Sequence, residues 1–244
     1  MLNIVLPIAG RGSRFSAVGY AQPKPLIPVR GKPMIEVVVD NLRPACPHRF
    51  IFLSLREHIE KWSMTDVLRS AAPGCEIVPV DAVTEGAACT VLLAEKFIDS
   101  DQPLMIANTD QYIAADVDDY IAQSARSDCD GLIMTFTASD PKWSFVRKDS
   151  DGRIVEVVEK RVVSDEATVG IYNFRRGSDF VRSAHAMIRA DLRVNGEFYV
   201  APTYNQLIAE GATIRSYRIR PEGEGMFGLG TPEDLDKFLK LGLK

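Results

Sequence analysis

The junction between the first apolar segment and the residues after it constrains the fold of this chain most. Residues 4–9 are an apolar run, and residues 11–32 then carry five basic side chains and no acidic one. Three prolines and three glycines interrupt that basic window, so it does not continue as a long helix or strand. Glycines, backbone N–H groups and fixed cations directly after a strand are typical of a polyphosphate site. The sequence therefore predicts an anion-binding loop at the end of a strand.

Strand and helix signals alternate along the chain, which favours an α/β fold. Apolar patterning predicts strands at residues 3–8, 49–53, 76–80, 103–107, 131–137, 168–174 and 214–219, a hairpin within 145–158, and helices at 33–42, 57–69, 86–97, 178–190, 199–210 and from 231 onward. Residues 103–107 are apolar throughout, as in a parallel strand that is buried on both faces. We therefore expect a doubly wound, mainly parallel mixed sheet flanked by helices, in a single domain over residues 1–244.

Charge and composition argue against several classes of function. The net charge of −4 is unlike that of a nucleic-acid-binding protein, so no nucleic-acid partner is expected. No stretch approaches 18 uninterrupted apolar residues and no signal peptide is visible, so we expect no membrane span and a cytoplasmic location. The four cysteines and three histidines show none of the spacings typical of zinc sites.

Two common nucleotide-binding motifs do not fit the basic window. The G-x-G-x-x-G fingerprint of dinucleotide-binding proteins starts at Gly10, but Phe15 stands where the third glycine packs helix against strand. Prolines 23, 25 and 28 also argue against the helix that should follow. A P-loop fails as well, because Leu26 replaces its first glycine and Pro33 replaces its magnesium-binding Ser or Thr.

The same segment resembles the signature of the nucleoside-triphosphate transferases, the family of the sugar-nucleotide pyrophosphorylases. That signature is roughly G-x-G-[ST]-R-[FL], a short spacer and P-K-P-[LM]. It stands here as Gly10, Gly12, Ser13, Arg14, Phe15, Pro23, Lys24, Pro25 and Leu26. Later landmarks of the family recur in order, so the resemblance covers nearly the whole chain. It implies a Rossmann-like, GT-A-like nucleotidyltransferase fold.

The resemblance also implies roles on the nucleotide side, in about residues 1–130. The glycine-rich turn would bind the triphosphate through backbone N–H groups. Arg14 would hold the β- and γ-phosphates, and Lys24 would lie beside the α-phosphate. A glycine that opens the helix near residue 86 would lie against the base. The implied nucleotide-binding residues are Ala9, Gly10, Gly12, Ser13, Arg14, Lys24, Glu85, Gly86 and Asn108.

Asp110 follows the buried run 103–107, at the strand end where parallel sheets bind ligands. The resemblance implies that it is the metal ligand and that Mg²⁺ is the cofactor. One carboxylate would hold the ion, and phosphate oxygens and water would complete its shell. Together with Arg14 and Lys24, Asp110 completes the implied catalytic set.

Residues of the acceptor half, about 131–244, match weaker landmarks of the same family. Glu159 and Lys160 resemble the pair that binds the acceptor, with the lysine on its phosphate. Gly170 would let the backbone approach that substrate. Asn195, Glu197 and Tyr199 open a helix in the region that closes over the acceptor in the family, and they are expected to affect selectivity.

The sequence departs from the family pattern at Gly228. Family members commonly carry a second metal-binding aspartate two residues before a C-terminal Gly-Thr, and Gly228 occupies that position here. Three explanations remain open. One metal is enough, another acid such as Glu224 replaces the aspartate, or the metal geometry differs.

The resemblance implies transfer of NMP from an NTP to a sugar 1-phosphate or a similar phosphorylated small molecule. Pyrophosphate would be released, and surface-glycan precursors would be made. Three alternatives stay open: a CTP-dependent cytidylyltransferase acting on a non-sugar phosphate, a non-catalytic nucleotide-binding module, and a metal-dependent glycosyltransferase. Asn108-Thr109-Asp110 gives weak support to the glycosyltransferase, because it is similar to the D-x-D metal motif of that class. Homodimers are common in the family, and no segment identifies an interface.

Overall fold

Alternating strands and helices follow one another along residues 1–241, the part of the chain that the computed structural model describes. The strands are β1 Leu2–Pro7, β2 Pro28–Val29, β3 Lys32–Pro33, β4 His48–Leu55, β5 Glu76–Val80, β6 Leu104–Ala107, β7 Gln111–Ile113, β8 Gly131–Thr137, β9 Ser144–Lys148, β10 Ile154–Glu159, β11 Glu166–Phe174, β12 Ile214–Arg218 and β13 Met226–Gly228. The helices are α1 Ser13–Ser16, α2 Met34–Leu42, α3 Arg56–Lys61, α4 Met64–Ala71, α5 Ala87–Leu92, α6 Glu95–Ile98, α7 Val117–Ser124, α8 Gly177–Arg189, α9 Tyr204–Ala209 and α10 Pro232–Lys240.

One mixed sheet connects the two halves of the chain. From edge to edge its strands run β5, β4, β1, β6, β11, β8 and β12, and the β9–β10 hairpin attaches to β11 beside β6. The neighbours β5–β4, β4–β1, β1–β6 and β8–β12 are parallel, whereas β11 runs antiparallel to both β6 and β8. The predicted mainly parallel mixed sheet is therefore confirmed.

Alternation along β1 explains why helices cover both faces of the sheet. Ile4 and Leu6 belong to one hydrophobic core and Val5 belongs to the other, because successive side chains of a strand point to opposite faces. The first core also receives side chains from α2, α4 and α10, and the second receives them from α5, α8 and α9. The predicted doubly wound arrangement follows from this two-sided burial.

Two predicted helices are each divided in the structure. The prediction for 57–69 was wrong in its continuity, because Ser63 has a φ of +50° and separates α3 from α4. Residues 86–97 likewise form α5 and α6 rather than one helix. Val91, Ala94 and Ile98 all pack into the same core. The helical spacing of apolar residues therefore continues across the break, and the sequence pattern does not reveal it.

Two small elements near the end of β6 were not expected from the sequence. One helical turn, α1, follows the first loop, although it ends well before Pro23. Strands β7 and β13 form a two-stranded antiparallel sheet in which Gly228 pairs with Gln111. The Leu229 N–H then donates to the Asp110 carbonyl at 2.6 Å, which holds the C-terminal segment beside the end of β6.

Within residues 1–241, no helix combines the length and the apolarity that crossing a membrane requires.

Candidate active site

The loop after β1 folds back against the turn that carries Lys24. Gly12 has a φ of +61°, in the left-handed region that favours glycine, and its conformation starts α1. A Cβ at Gly12 would lie 3.0 Å from the Cβ of Lys24. Phe15 is buried and anchors α1 in the core. This close approach places Arg14 and Lys24 on the wall of one cavity.

That cavity, the loop cavity, has a volume of about 360 Å³. It lies between the glycine-rich loop and the end of β6, and its lining is Pro7, Ile8, Gly10, Gly12, Ser13, Arg14, Lys24, Pro25, Asn108, Thr109, Asp110 and Gly230. Most of the predicted nucleotide-binding residues therefore meet here. Ala9 lies buried beside the lining and is not part of it.

A second cavity of about 440 Å³, the hairpin cavity, lies between the β9–β10 hairpin, β11 and the C-terminal segment. Its lining includes Ala87, Gln111, Lys142, Trp143, Ser144, Glu159, Lys160, Gly170, Tyr172, Tyr199, Glu222, Gly228 and Asp234. The two cavities share four lining residues, which are Arg14, Asn108, Asp110 and Gly230. They therefore form one cleft with a common junction.

At the junction, Lys24 Nζ lies 3.2 Å from Asp110 Oδ2. Both side chains are partly exposed, so this ion pair remains open to exchange with ligand charges. Arg14 is exposed and forms no ion pair within the described residues. The junction thus offers two cations and one carboxylate to a ligand.

Gly170 lies against the Asn108–Gln111 segment on the floor of the hairpin cavity. The Asn108 N–H donates to the Gly170 carbonyl at 2.9 Å. Gly170 has a φ of +92°, and a Cβ there would overlap the Asn108 amide and lie 3.2 Å from Gln111 Nε2. Gln111 is buried, and its Nε2 has no hydrogen-bond partner within residues 1–241. Nothing in the sequence signals this unpartnered donor, which is packed beside Gly170.

Glu159 is buried in the wall of the hairpin cavity and accepts a hydrogen bond from the Ser144 hydroxyl. Burial raises the pKa of Glu159, and the Ser144 hydrogen bond partly opposes that rise. Tyr172 lies on the same wall, where its hydroxyl is 3.0 Å from the Thr168 hydroxyl. Burial, and next the Glu159 charge, raise the pKa of Tyr172. This wall therefore offers neutral hydroxyls around one carboxylate.

Lys160 projects from the end of β10 toward Tyr199. Its backbone has a φ of +54°, and its N–H donates to the Trp143 carbonyl at 3.0 Å. The Lys160 ammonium donates to the Tyr199 hydroxyl, lies 4.6 Å from the centre of that ring, and has its pKa raised mainly by this hydrogen bond. The two residues hold a cation on the cavity wall opposite the junction.

Glu85 and Gly86 lie outside the linings of both cavities. Glu85 pairs with Arg193 at 3.2 Å. Gly86 has a φ of +134°, and a Cβ there would overlap the Phe198 backbone. The structure thus gives Gly86 a packing role, whereas the next residue, Ala87, lines the hairpin cavity. The predicted contact of Gly86 with a base stays a prediction.

Asn195 and Glu197 also lie outside both linings. Asn195 has a φ of +50° in a tight turn that Val194 and Glu197 close with two backbone hydrogen bonds of 3.0 Å. Tyr199 and Val200, which follow this turn, line the hairpin cavity instead. Of the three predicted selectivity residues, Tyr199 alone lines a cavity, and the effect of all three on selectivity stays a prediction.

The carboxylates of the cleft suit a magnesium ion whose coordination shell is completed by water and by the phosphate oxygens of bound substrates. No cluster of three or more Asp, Glu, His or Cys side chains suited to a metal occurs in residues 1–241. Mg²⁺ commonly takes only one or two carboxylates and keeps water and phosphate oxygens as its other ligands. A Cβ at Gly230 would lie 3.2 Å from Asp110 Oδ2, so the glycine leaves space beside that carboxylate. The suggested replacement Glu224 is exposed and does not line the cleft, whereas Asp234 does.

Solved structures with the same fold are similar over nearly the full chain. A nucleoside-diphosphate-sugar pyrophosphorylase from Vibrio cholerae RC9 superposes with a TM-score of 0.81 at 24% identity and covers 98% of this chain and 100% of that one. A UDP-glucose pyrophosphorylase solved with UDP-glucose gives a TM-score of 0.77 at 18% identity, with 98% of this chain and 97% of that one covered. These likenesses confirm the nucleotidyltransferase type of fold.

Sequence comparison gives relatives in the same group. The bifunctional protein GlmU of Cupriavidus metallidurans is 26% identical over 88% of this chain and 46% of its own length. GlmU of a Geobacillus species is 26% identical over the same two shares. The chain thus spans about half the length of these relatives. A family model described as nucleotidyl transferase matches residues 3–190, more than three quarters of the sequence, and the chain therefore belongs to that family.

Proposed function

We propose that this chain transfers NMP from an NTP to a sugar 1-phosphate or a similar phosphorylated small molecule and releases pyrophosphate. The observation that carries this proposal is the junction of the two cavities. Arg14, Asn108, Asp110 and Gly230 line both the cation-rich loop cavity and the larger hairpin cavity. A nucleotide on one side and a phosphorylated acceptor on the other would bring two phosphates together at this point.

The reaction needs positioning and charge neutralisation more than proton transfer. An oxygen of the acceptor phosphate attacks the α-phosphorus of the nucleotide in line. The bond from that phosphorus to the bridging oxygen breaks, and its electron pair leaves with pyrophosphate. The acceptor phosphate is already ionised near neutral pH, so no general base is required.

Cations of the loop cavity would neutralise the nucleotide. The planar guanidinium of Arg14 suits the β- and γ-phosphate oxygens, and backbone N–H groups at Gly10, Gly12 and Ser13 would surround them. Lys24 would shift from Asp110 toward the α-phosphate. Asp110 would hold Mg²⁺, which supplies Lewis-acid neutralisation of phosphate charge when it is bound.

Polar groups of the hairpin cavity would hold the acceptor. Lys160, now bonded to Tyr199, suits the acceptor phosphate as a mobile cation. The Glu159 carboxylate suits sugar hydroxyls, which can donate hydrogen bonds to it. The names of two similar proteins, both sugar-nucleotide pyrophosphorylases, also support a sugar phosphate.

Further parts of the proposal concern organisation and cellular role. Residues 1–130 would mainly hold the nucleotide and residues 131–244 the acceptor, within one domain. Gly230 is an exception, since it lines the loop cavity from the second half. A cytoplasmic homodimer that makes surface-glycan precursors would be consistent with this role.

The test is a matrix of four NTPs against sugar 1-phosphates and non-sugar phosphates such as phosphocholine, read as pyrophosphate release. We expect Mg²⁺-dependent release with at least one sugar 1-phosphate, and its near loss in Asp110→Asn. Asp151→Asn, at the exposed tip of the hairpin, is the matched control and should keep full activity. Activity with CTP and a non-sugar phosphate alone would establish the cytidylyltransferase alternative. Retained turnover in a folded Asp110→Asn variant would overturn the site.

A further inference from the structure

We propose that Asp234 supplies the second carboxylate of the metal site, in place of the aspartate that Gly228 replaces. This inference rests on the proposed function, because it concerns the same Mg²⁺. It assigns a role in metal binding to a residue on the first turn of α10, six positions beyond the expected one.

The β13 segment is fixed against the residues that follow β6. Gly228 pairs with Gln111, the residue next to Asp110, in the β7–β13 sheet. One residue later, the Leu229 N–H donates to the Asp110 carbonyl, and the Leu229 side chain is fully buried. Position 228 is therefore held beside Asp110 by backbone pairing.

Gly228 leaves a space that a carboxylate from elsewhere fills. Its backbone lies outside the left-handed region, so conformation does not require a glycine there. A Cβ at this position would lie 3.2 Å from both Cγ and Oδ2 of Asp234. A side chain at 228 would therefore crowd the carboxylate of Asp234, which would have to shift by a few tenths of an ångström. The glycine leaves room for that carboxylate in the cleft.

Asp234 is held firmly at its backbone and left free at its carboxylate. Its N–H donates to the Thr231 hydroxyl at 3.1 Å, which caps α10, and the next residue, Leu235, is buried in the core. No hydrogen bond or ion pair engages the Asp234 carboxylate in the part of the chain that the structure describes. A partly buried carboxylate without a partner in a ligand-sized cavity is suited to a cation.

Asp110 and Asp234 border the same short stretch of backbone. A Cβ at Gly230 would lie 3.2 Å from Asp110 Oδ2, just as one at Gly228 would lie 3.2 Å from Asp234 Oδ2. Both aspartates line the hairpin cavity. Asp110 and Asp234 thus lie beside two glycines that are two positions apart, and Mg²⁺ commonly takes only one or two carboxylates together with water and phosphate.

The test measures metal binding directly, with Mn²⁺ as the probe and no nucleotide present. Free Mn²⁺ is counted by electron paramagnetic resonance during titration of the full chain. We expect the Kd to rise roughly ten-fold or more in Asp234→Asn, as for other losses in a metal site. The matched control is Glu233→Gln, an exposed acid on the same helical turn. This variant and Glu224→Gln, which also lies outside both cavities, should keep the wild-type Kd.

A relocation variant separates metal binding from a merely structural role. Gly228→Asp combined with Asp234→Ala places the carboxylate at position 228 and removes the side chain that would collide with it. Recovery of the wild-type Mn²⁺ affinity in this double variant, after its loss in Asp234→Ala alone, supports the proposal. Thermal melting identifies any variant that has lost its fold.

Asp110→Asn distinguishes failure of this inference from failure of the proposed function. If a folded Asp234→Asn keeps the wild-type Kd while Asp110→Asn loses it, Asp234 is not a ligand and the metal at Asp110 stands. Loss of affinity in Glu222→Gln or Glu224→Gln, with Asp234→Asn unchanged, also overturns the assignment. If wild type binds no Mn²⁺ either alone or with a non-hydrolysable NTP analogue present, both this inference and the metal site of the proposed function fail.

Discussion

The two cavities of the cleft are built in different ways. The loop cavity takes its lining from three short stretches, 7–14, 24–25 and 108–110, with Gly230 as the one addition in residues 1–241. The hairpin cavity takes its lining from segments between Arg14 and Asp234 that only the sheet topology brings together. A site made of neighbouring residues appears as a motif, whereas a site assembled by tertiary structure does not.

The loop cavity and the hairpin cavity also differ in the chemical groups that line them. The loop cavity presents glycines, backbone N–H groups and cations, which suit the phosphates of any nucleotide. The hairpin cavity buries Glu159 and Tyr172, and burial raises the pKa of each. Groups of that kind recognise a particular pattern of donors and acceptors. We therefore expect the loop cavity to control turnover and the hairpin cavity to control which acceptor is used.

The largest expected effect is on turnover, at the loop cavity. Lys24→Ala removes the cation nearest Asp110 and should lower kcat by about 10²- to 10³-fold, the range for losing one electrostatic stabiliser. Pyrophosphate release at saturating substrates measures it. Lys32→Ala is the control, because Lys32 lies in the same basic window but pairs with Glu36 and Asp40 on the surface. Equal losses in both variants would mean that only the charge of the window matters.

The next effect is on stability, where the two halves of the chain meet. Gly86→Ala would force a side chain into the Phe198 backbone at a φ of +134°, and we expect the free energy of unfolding to fall by about 3 kcal/mol. Gly74→Ala, at a φ of +78° with open space around it, should cost only about 1 kcal/mol. Urea unfolding measures both. A small effect at Gly86 would show that Phe198 yields easily.

A smaller effect is expected on acceptor binding, at the hairpin cavity. Lys160→Met should raise the KM for the phosphorylated acceptor roughly ten-fold, the value of one charged hydrogen bond, and leave the KM for the NTP unchanged. Arg161→Met, at the exposed neighbouring position, is the control. If Lys160→Met changed the two KM values equally, the separation of roles between the cavities would be wrong.

The smallest effect is a pH dependence of stability. Because burial raises the pKa of Glu159, ionisation of this group opposes folding, and wild type loses stability as the pH rises through that pKa. Glu159→Gln carries no such charge. The Tm of the variant minus the Tm of wild type should therefore increase as the pH is raised from 4 to 8. A relative loss of Tm over this interval would mean that the ionised carboxylate is stabilised in the fold.

The apolar patterning of the sequence predicted the sheet, because a run such as 104–107 must be buried on both faces. The loop after β1 drew attention through its glycines and cations, whereas the roles expected of its residues came from the resemblance to a family and stay predictions. The sequence gives no sign of the helix breaks at Ser63 and Ala94, because the helical spacing of apolar residues continues across both.

The missed part of the site depends on long-range pairing. Gln111 is unremarkable in sequence until β11 and β13 bury it, and Asp234 reads as part of a helix start that Thr231 caps. The sequence did signal one of them indirectly. The unexpected Gly228 pointed to a missing carboxylate, although only the fold shows which acid lies beside it.

The most direct test is a crystal structure of this protein with the sugar nucleotide that the substrate matrix identifies. We expect the diphosphate of that product at the junction, in contact with Arg14 and Asp110, with the nucleotide along the glycine-rich loop and the sugar in the hairpin cavity. A diphosphate bound away from both Arg14 and Asp110 would contradict the proposal that this junction is where the two phosphates react.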